Sequence, residues 1–467
     1  MKVIACFAAF LLGSLSCLFA SHIRGGYVRV VSGNGSLTYK FEVIGFTDTG
    51  SFTGFGGGEV DFGDGTTINL EESDANHETI LLGNETSLTK YAISHTYQAP
   101  GAYTVRVKEF FRNASVINME NSAETPFFVS TQVIVDPFFG ANSTPELGVF
   151  PAVFSRTGSR FFSSVGSKDE QGDSLVYSLA VPLRDFAEEV DSYRWPNDIS
   201  FYAGGNHGET PVLKLDKLSG QLTWDTPELA GEFGIAYKVI EYRRVDGEVH
   251  KLSETTVDLQ IINEESDMLP PNIDFDYQVT SNGRIDFTVG YETMVADSLE
   301  WSFYSSGLLS WDGADIDGHQ LADTIVGGTG FNGFAALPQP ATKPVYFVLA
   351  ARSLNSLNPF KTVKSFAVNP TGEEYVINAV DSPKDVVVLR TYPNPVAGTM
   401  TIQFPELNLN KVQEIELINA AGQSILKTGI PINGNLATLN TEDLPGGIYL
   451  LRTYLGQQIC YSRFIKE

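Results

Sequence analysis

Apolar and polar residues alternate with period two along most of the chain, the spacing that puts every second side chain on one face of a β-strand. Tyr27-Val28-Arg29-Val30 opens the pattern and Tyr39-Lys40-Phe41-Glu42-Val43 continues it. Further on, Tyr103, Val105 and Val107 share a face after the turn Pro100-Gly101. Asp64-Gly65, inside Val60-Asp61-Phe62-Gly63-Asp64-Gly65-Thr66, supplies a second tight turn with a residue able to take positive φ. The two segments read as neighbouring strands of one sandwich over 21–136.

A polar linker from Asp136-Pro137 to Asn142-Ser143-Thr144-Pro145 leads into a second unit over 137–265. There the loop Asp169-Glu170-Gln171-Gly172-Asp173 runs into the alternating Ser174 to Leu179, and Phe233, Ile235, Tyr237 and Val239 form a later apolar face. Met268-Leu269-Pro270-Pro271 reads as a hinge, because consecutive prolines hold the backbone extended and donate nothing to a ladder. A third unit over 266–380 has strand-like pieces at 284–289, 298–304 and 344–351, with Gly-rich turns at Gly327-Gly328 and Gly330. Over 385–467, short strands follow the turns Tyr392-Pro393-Asn394-Pro395, Ala421-Gly422-Gln423 and Pro445-Gly446-Gly447.

Composition agrees with this pattern. At 467 residues the chain exceeds one ordinary core, and 42% apolar against 19% charged residues suffices to fill several. With 12% aromatics, 44 glycines and 22 prolines, the predicted fold class is all-β. Residues 1–20 have the layout of a secretory signal, with Lys2, an apolar run through Phe10-Leu11-Leu12 and cleavage expected after Ala20. No later stretch approaches the ~20 apolar residues of a membrane helix. Removal of Cys6 and Cys17 with the signal leaves Cys460 alone, so no intramolecular disulfide is expected, and its alternating strand makes it a small core residue. A net charge of −25 repels phosphates and excludes nucleic acid as a partner.

The C-terminal segment resembles the type IX secretion C-terminal sorting domain of Bacteroidetes, and the residues carrying the resemblance are Tyr392, Pro393, Asn394, Pro395, Gly422, Gly447, Tyr449, Phe464 and Lys466. The resemblance implies a compact β-sandwich read by the type IX secretion machinery, and cleavage as the chain is attached to surface lipopolysaccharide or released. The first unit is similar to polycystic-kidney-disease (PKD) repeats. The second resembles cadherin-like or immunoglobulin-like modules, and the third is taken as immunoglobulin-like by context. Ser21-His22-Ile23-Arg24-Gly25-Gly26 looks like the mature start of gliding-associated surface proteins. The expected architecture is a tandem series of immunoglobulin-like β-sandwich domains ending in a sorting-domain sandwich, secreted to the extracellular face of the outer membrane. The expected role is adhesive or structural, with a glycan or another surface protein as partner; the alternative is a glycan-binding or glycan-processing module with the same export domain.

Catalytic signatures are absent from the sequence. It holds no Gly-x-Ser-x-Gly elbow and no His-Glu-x-x-His helix, and its six histidines stand singly. His95 reads as a packed or capping residue, and Gly54-Phe55-Gly56-Gly57-Gly58 as a mobile hairpin tip, since the Lys-Ser/Thr of a phosphate loop is missing. No enzyme is expected, although 56 acidic residues leave paired carboxylates open. Calcium is the one ion worth naming. Asp169, Glu170 and Asp173 lie in a loop resembling the Asp-x-x-Gly-Asp segments of cadherin-like modules, where hard oxygen ligands would pin one end of a sandwich. Asp-Gly turns are nevertheless common without metal. Tyr193, Trp195, Phe201 and Tyr202 are candidate ligand contacts, because aromatic faces stack on sugar rings or partner side chains; the plainer reading is a loop folded over its own sandwich.

Overall fold

The computed structural model describes residues 23–32, 37–50, 54–71, 76–83, 85–110, 112–114, 116–136, 139–140, 142–147, 153–202, 211–245, 248–280, 284–292, 299–305, 315–316, 325–326, 330–336, 345–355, 357–368, 386–404, 414–419, 424–455 and 458–467. The signal segment, Ser21-His22, Gly327-Gly328 and Gly422 fall outside them.

The first unit contains β1 (Ile23–Ser32), β2 (Thr38–Asp48), β3 (Glu59–Asp61), β4 (Thr67–Asn69), β5 (His77–Gly83), β6 (Thr86–Thr96), β7 (Gly101–Glu109) and β8 (Phe127–Val135). They run in the orders β1-β2-β6-β5 and β4-β3-β7-β8. The two sequence segments that read as neighbours do pair, with Val60 opposite Val107, and Gly65 takes φ +92 in the turn between β3 and β4. Val28, Val30, Phe41, Val43, Val105 and Val133 meet in one core. The segment from Gly54 to Gly58 is not the hairpin tip its glycines suggested. Phe55 is 1% exposed and lies where a Cβ on Gly45 would stand 2.1 Å from its ring, so the missing side chain of Gly45 makes room for that ring in the core.

The second unit contains β9 (Glu146–Leu147), β10 (Phe154–Arg156), β11 (Arg160–Ser164), β12 (Ser167–Lys168), β13 (Ser174–Ala180), β14 (Leu183–Asp185), β15 (Glu188–Glu189), β16 (Leu213–Leu215), β17 (Gln221–Asp225), β18 (Gly231–Val245) and β19 (Glu248–Glu264). The sheet β11-β17-β16 faces β13-β18-β19 across a core of Trp224, Phe161, Phe233 and Tyr237. β19 pairs with β18 from Val245↔Glu248 to Gly231↔Asn263. It also pairs with β8 at Ser253↔Val133 to Thr255↔Thr131, and with β1 at Gly26↔Asp258 and Gly25↔Leu259.

The sheet therefore runs from the first unit into the second through β19, on either side of the segment where the sequence suggested a linker. Close approach makes this possible: a Cβ on Gly25 would lie 2.3 Å from the Asp258 carbonyl oxygen, and one on Gly26 2.4 Å from that of Ile44. β2 shows the consequence. It is buried without interruption from Phe41 to Thr47, with Phe41 and Val43 in the first core and Ile44 and Phe46 in the second. A strand covered on both faces loses its polar alternation. At the same junction Arg112 donates to Asp258 at 2.6 Å, both 1% exposed, and to the Leu183 carbonyl at 2.8 Å.

The third unit has two four-stranded sheets, one holding Asn272–Val279 and Arg284–Glu292, the other Leu299–Ser305, Val345–Ser353 and Lys361–Val368. Trp301, Phe287 and Leu349 lie in the core between them. The Pro270-Pro271 segment is a packed joint, not a free hinge. The Leu269 carbonyl accepts from Asn358 Nδ2 at 3.1 Å and the Pro271 carbonyl from Thr362 Oγ1 at 2.5 Å, while Val348, Ala350 and Val363 enter the second core. At the C-terminus a five-stranded and a four-stranded sheet enclose Met400, Ile402, Leu417, Leu451, Phe464 and Cys460, the last 0% exposed. Among the described residues no helix is long and apolar enough to cross a membrane.

Removing one partner of a buried ion pair strands the other charge in a dry site. Arg112→Ala should therefore cost about 3–5 kcal/mol in denaturant unfolding, whereas Arg112→Met combined with Asp258→Leu should cost far less. Equal losses would show that the pair is not the source of the effect.

Candidate functional site

Asp169 opens a turn in which its Oδ1 accepts from the backbone N–H groups of Gln171 (3.0 Å) and Asp173 (2.7 Å). This is the self-bonding that Asp favours in loops. The turn brings Asp169 and Asp173 against Glu241 of β18, with one carboxylate oxygen of each within 4.8 Å of the others. Glu170, in the expected ligand set, is not part of this cluster: its Oε1 accepts from Arg29 at 2.7 Å. Glu241 was missed by the sequence reading, although a signal was present. It has the same parity as Phe233, Ile235, Tyr237 and Val239, so an acid was due to face the core.

The three carboxylates are unequally satisfied. Arg243 holds Asp173 through bonds of 2.5 to 3.0 Å and also donates to the Phe139 carbonyl and Asn142 Oδ1, both at 2.6 Å. Glu241 Oε2 accepts from Asn142 Nδ2 (3.0 Å) and Ser253 Oγ (2.5 Å). Among the described residues, Asp169 Oδ2 and Glu241 Oε1 are buried with no hydrogen-bond partner. Burial and the neighbouring Asp173 charge push Asp169 up to about 6, against the two backbone donors. Burial, then the Asp169 charge, raises Glu241 well above the carboxylate range. Such a cluster is neutralised by a proton or by a cation. Its all-oxygen donor set suits a hard cation, and Arg243 already supplies one positive charge on the Asp173 side.

The aromatic loop divides. Phe201 and Tyr202 are 5% and 7% exposed and belong to the second core, where Phe201 meets Phe233 edge-on at 5.4 Å. Tyr193 is partly buried and donates to the Gly234 carbonyl at 3.3 Å. Trp195 alone of the four reaches the surface, at 36% exposure. His95 is a packed residue: Nε2 lies 2.8 Å from Asp64 Oδ2, and the ring stacks on Phe62 at 4.2 Å.

In the C-terminal domain, Asn394 closes a latch. Its Nδ2 donates to the Arg463 carbonyl at 3.0 Å and its Oδ1 accepts from the Ile465 N–H at 2.8 Å, so one side chain plays both parts of a strand partner. Val396 continues the pairing in parallel with Lys466. The flanking prolines, Pro393 and Pro395, follow cis peptide bonds. Tyr449 stacks on Phe464 at 5.5 Å and donates to the Pro445 carbonyl at 2.8 Å. Lys466 is 8% exposed, Tyr392 is 45% exposed, and a Cβ on Gly447 would meet nothing closer than 3.9 Å.

This is an all-β protein of packed sandwiches with a separately cored C-terminal domain. Residues 390–467 match the family described as the secretion system C-terminal sorting domain. The chain is accordingly exported by type IX secretion to the cell surface or the extracellular space, and its C-terminal domain engages that machinery. The chain is 30% identical over an alignment of 134 residues to Integrin beta-like protein A of Dictyostelium discoideum, covering 26% of this chain and only 7% of that protein. Among solved structures, the N-terminal four Ig domains of Dscam1 isoform 9.44 cover 96% of this chain and 100% of their own at 10% identity and a TM-score of 0.16. Elastase-activated alpha-2-macroglobulin of Escherichia coli covers 83% and 35% at 14% identity and a TM-score of 0.16. With scores this low, the architecture is read from the sheets themselves.

An acid whose folded pKa is raised stabilises the fold fully below its unfolded pKa, and that contribution is lost as pH rises through the folded value. For Asp169 the window runs from 3.8 to about 6. In chelator, Glu241→Gln should melt level with the parent at pH 4 and about 2–4 °C above it at pH 7.5, the shift expected of ~1 kcal/mol at this size. A variant less stable than the parent at pH 7.5 would contradict the assignment.

Proposed function

We propose that the chain is an adhesive or structural surface protein, a stiff body of interlocked sandwiches carried out of the cell by its sorting domain. In this reading residues 21–136 are PKD-like, 137–265 cadherin-like or immunoglobulin-like and 266–380 immunoglobulin-like, and residues 1–20 are a signal peptide. The observation that carries it is the conjunction of a matched sorting domain with a body whose units share strands and cores. Such a body holds its loops at fixed separations, which suits display. Surface lipopolysaccharide is the proposed attachment point.

We further assign calcium to the pair of orphaned oxygens, Asp169 Oδ2 and Glu241 Oε1, where it would neutralise two buried acids and pin the loop. Millimolar calcium should then raise the melting temperature of the parent at pH 7.5 and leave Asp169→Asn unmoved; an equal response in both places the ion elsewhere.

Deleting residues 386–467 should abolish surface display, measured by protease accessibility on whole cells, while the truncated chain accumulates inside. Asn394→Ala, which removes two hydrogen bonds, should destabilise the sorting domain by about 1–2 kcal/mol and lower display. Display that survives the deletion would end the reading.

A further inference from the structure

We propose that the outer face of the joined sheet is a binding groove for a neutral oligosaccharide. A cavity of about 760 Å³, within the ~300–1,000 Å³ typical of small-ligand sites, opens over β7, β8, β19, β18 and β13. Its floor spans the junction of the first two units, so it exists only because β19 joins them. Thr104 and Gln132 lie opposite each other on β7 and β8, and Gln132 opposite Glu254 on β19. In the next row Thr256, Lys238 and Ser178 follow one another across β19, β18 and β13.

The wall is the segment after β13. The hairpin of β14 and β15 turns through Phe186 and Ala187, and Ala187 is held at φ +56, a conformation that costs a non-glycine residue energy. Two contacts fix the hairpin: Lys108 pairs with Asp185 at 2.5 Å, and the Arg106 guanidinium lies 3.7 Å from the centre of the Phe186 ring. Phe186 is 50% exposed and Trp195 36%, and both line the cavity. Large aromatic surface is therefore kept in water, on rigid supports, beside a floor of hydroxyl and amide side chains.

The chemistry selects the ligand. The central floor strands β8, β19 and β18 are each paired on both sides, which leaves an extended peptide only the outer side of β13. What remains is Ser, Thr and Gln side chains, matched to sugar hydroxyls, and aromatic rings, matched to the apolar faces of pyranose rings. The charged residues lining the cavity are Lys238, Lys251, Glu189 and Glu254, which cancel, in a chain whose net charge of −25 repels acidic glycans. Glu254 bonds both lysines, Lys238 at 2.7 Å and Lys251 at 3.0 Å. Burial would raise its pKa, but the two lysines outweigh burial and hold it below the usual range, which disqualifies it as the general acid of a glycosidase.

The proposal rests on the body being a recognition module, and its test is independent of export. The purified full chain would be titrated with neutral tetrasaccharides of β-1,4-glucose, α-1,4-glucose and β-1,4-N-acetylglucosamine, read by calorimetry and tryptophan fluorescence. At least one should bind. Trp195→Ala and Gln132→Ala should each weaken it tenfold or more at unchanged melting temperature, with Trp195→Phe retaining most of the affinity. The proposal is overturned if no neutral tetrasaccharide binds the folded chain at millimolar concentration, if both alanine variants bind as the parent does, or if polygalacturonate or a proline-rich peptide occupies the groove instead. Should Trp195→Ala lose sugar binding yet still reach the cell surface, the ligand and the export route are shown to be separate properties.

Discussion

Strand β19 is 17 residues long and is covered on both faces for most of that length. It completes the second sandwich through β18, then lends its edge to β8 and β1 of the first. Two cores thus share one wall, and neither can be lost without exposing apolar surface of the other. Arg112 and Asp258 sit at that wall, buried and paired. Such a pair adds little net stability over an apolar substitute, but it penalises any arrangement in which the two units slide apart, because each charge would then be stranded.

The same economy extends to the other joints. Val348 and Val363 of the third unit fill part of the second core, and Ser365 donates its backbone N–H to Gln221 Oε1 at 2.6 Å. At the far end, Arg452 of the sorting domain donates to Asp136 at 3.0 Å, both nearly inaccessible, beside Ile134, Leu252, Ile418 and Leu450. Asp136, which in the sequence looks like the first residue of a linker, is in the structure the seat of the sorting domain. Export label and cargo are in contact through a buried charge, and the body presents its loops and its groove from a single stiff frame.

Much of the fold was legible in the sequence. Period-two alternation and Asp-Gly turns mark the strands of the first unit, and the Pro-Asn-Pro turn marks the sorting domain through its family resemblance; in the structure the Asn394 amide both donates to and accepts from the last strand. Strand sharing was not legible, since pairing partners lie far apart in the chain: Arg29 and Glu170 are 141 residues apart, and their contact is what removes Glu170 from the acidic cluster. Exposure was equally hidden. Trp195 and Phe201 stand six positions apart in one loop, yet one faces water and the other packs on Phe233. Glu241 was readable from its inward parity on an otherwise apolar face, but its two acidic neighbours lie about 70 residues earlier in the chain, so the cluster itself was not.

The central claim is that residues 23 to 264 form one cooperative body through β19. Native-state hydrogen exchange measured against denaturant tests it most directly, by following amides in β1, β8, β13 and β19 of the same sample. The account predicts that their slowest-exchanging amides share one opening free energy and one denaturant dependence. Two distinct values, one for β1 and β8 and another for β13 and β19, would mean that the units unfold separately and that β19 merely touches the first of them.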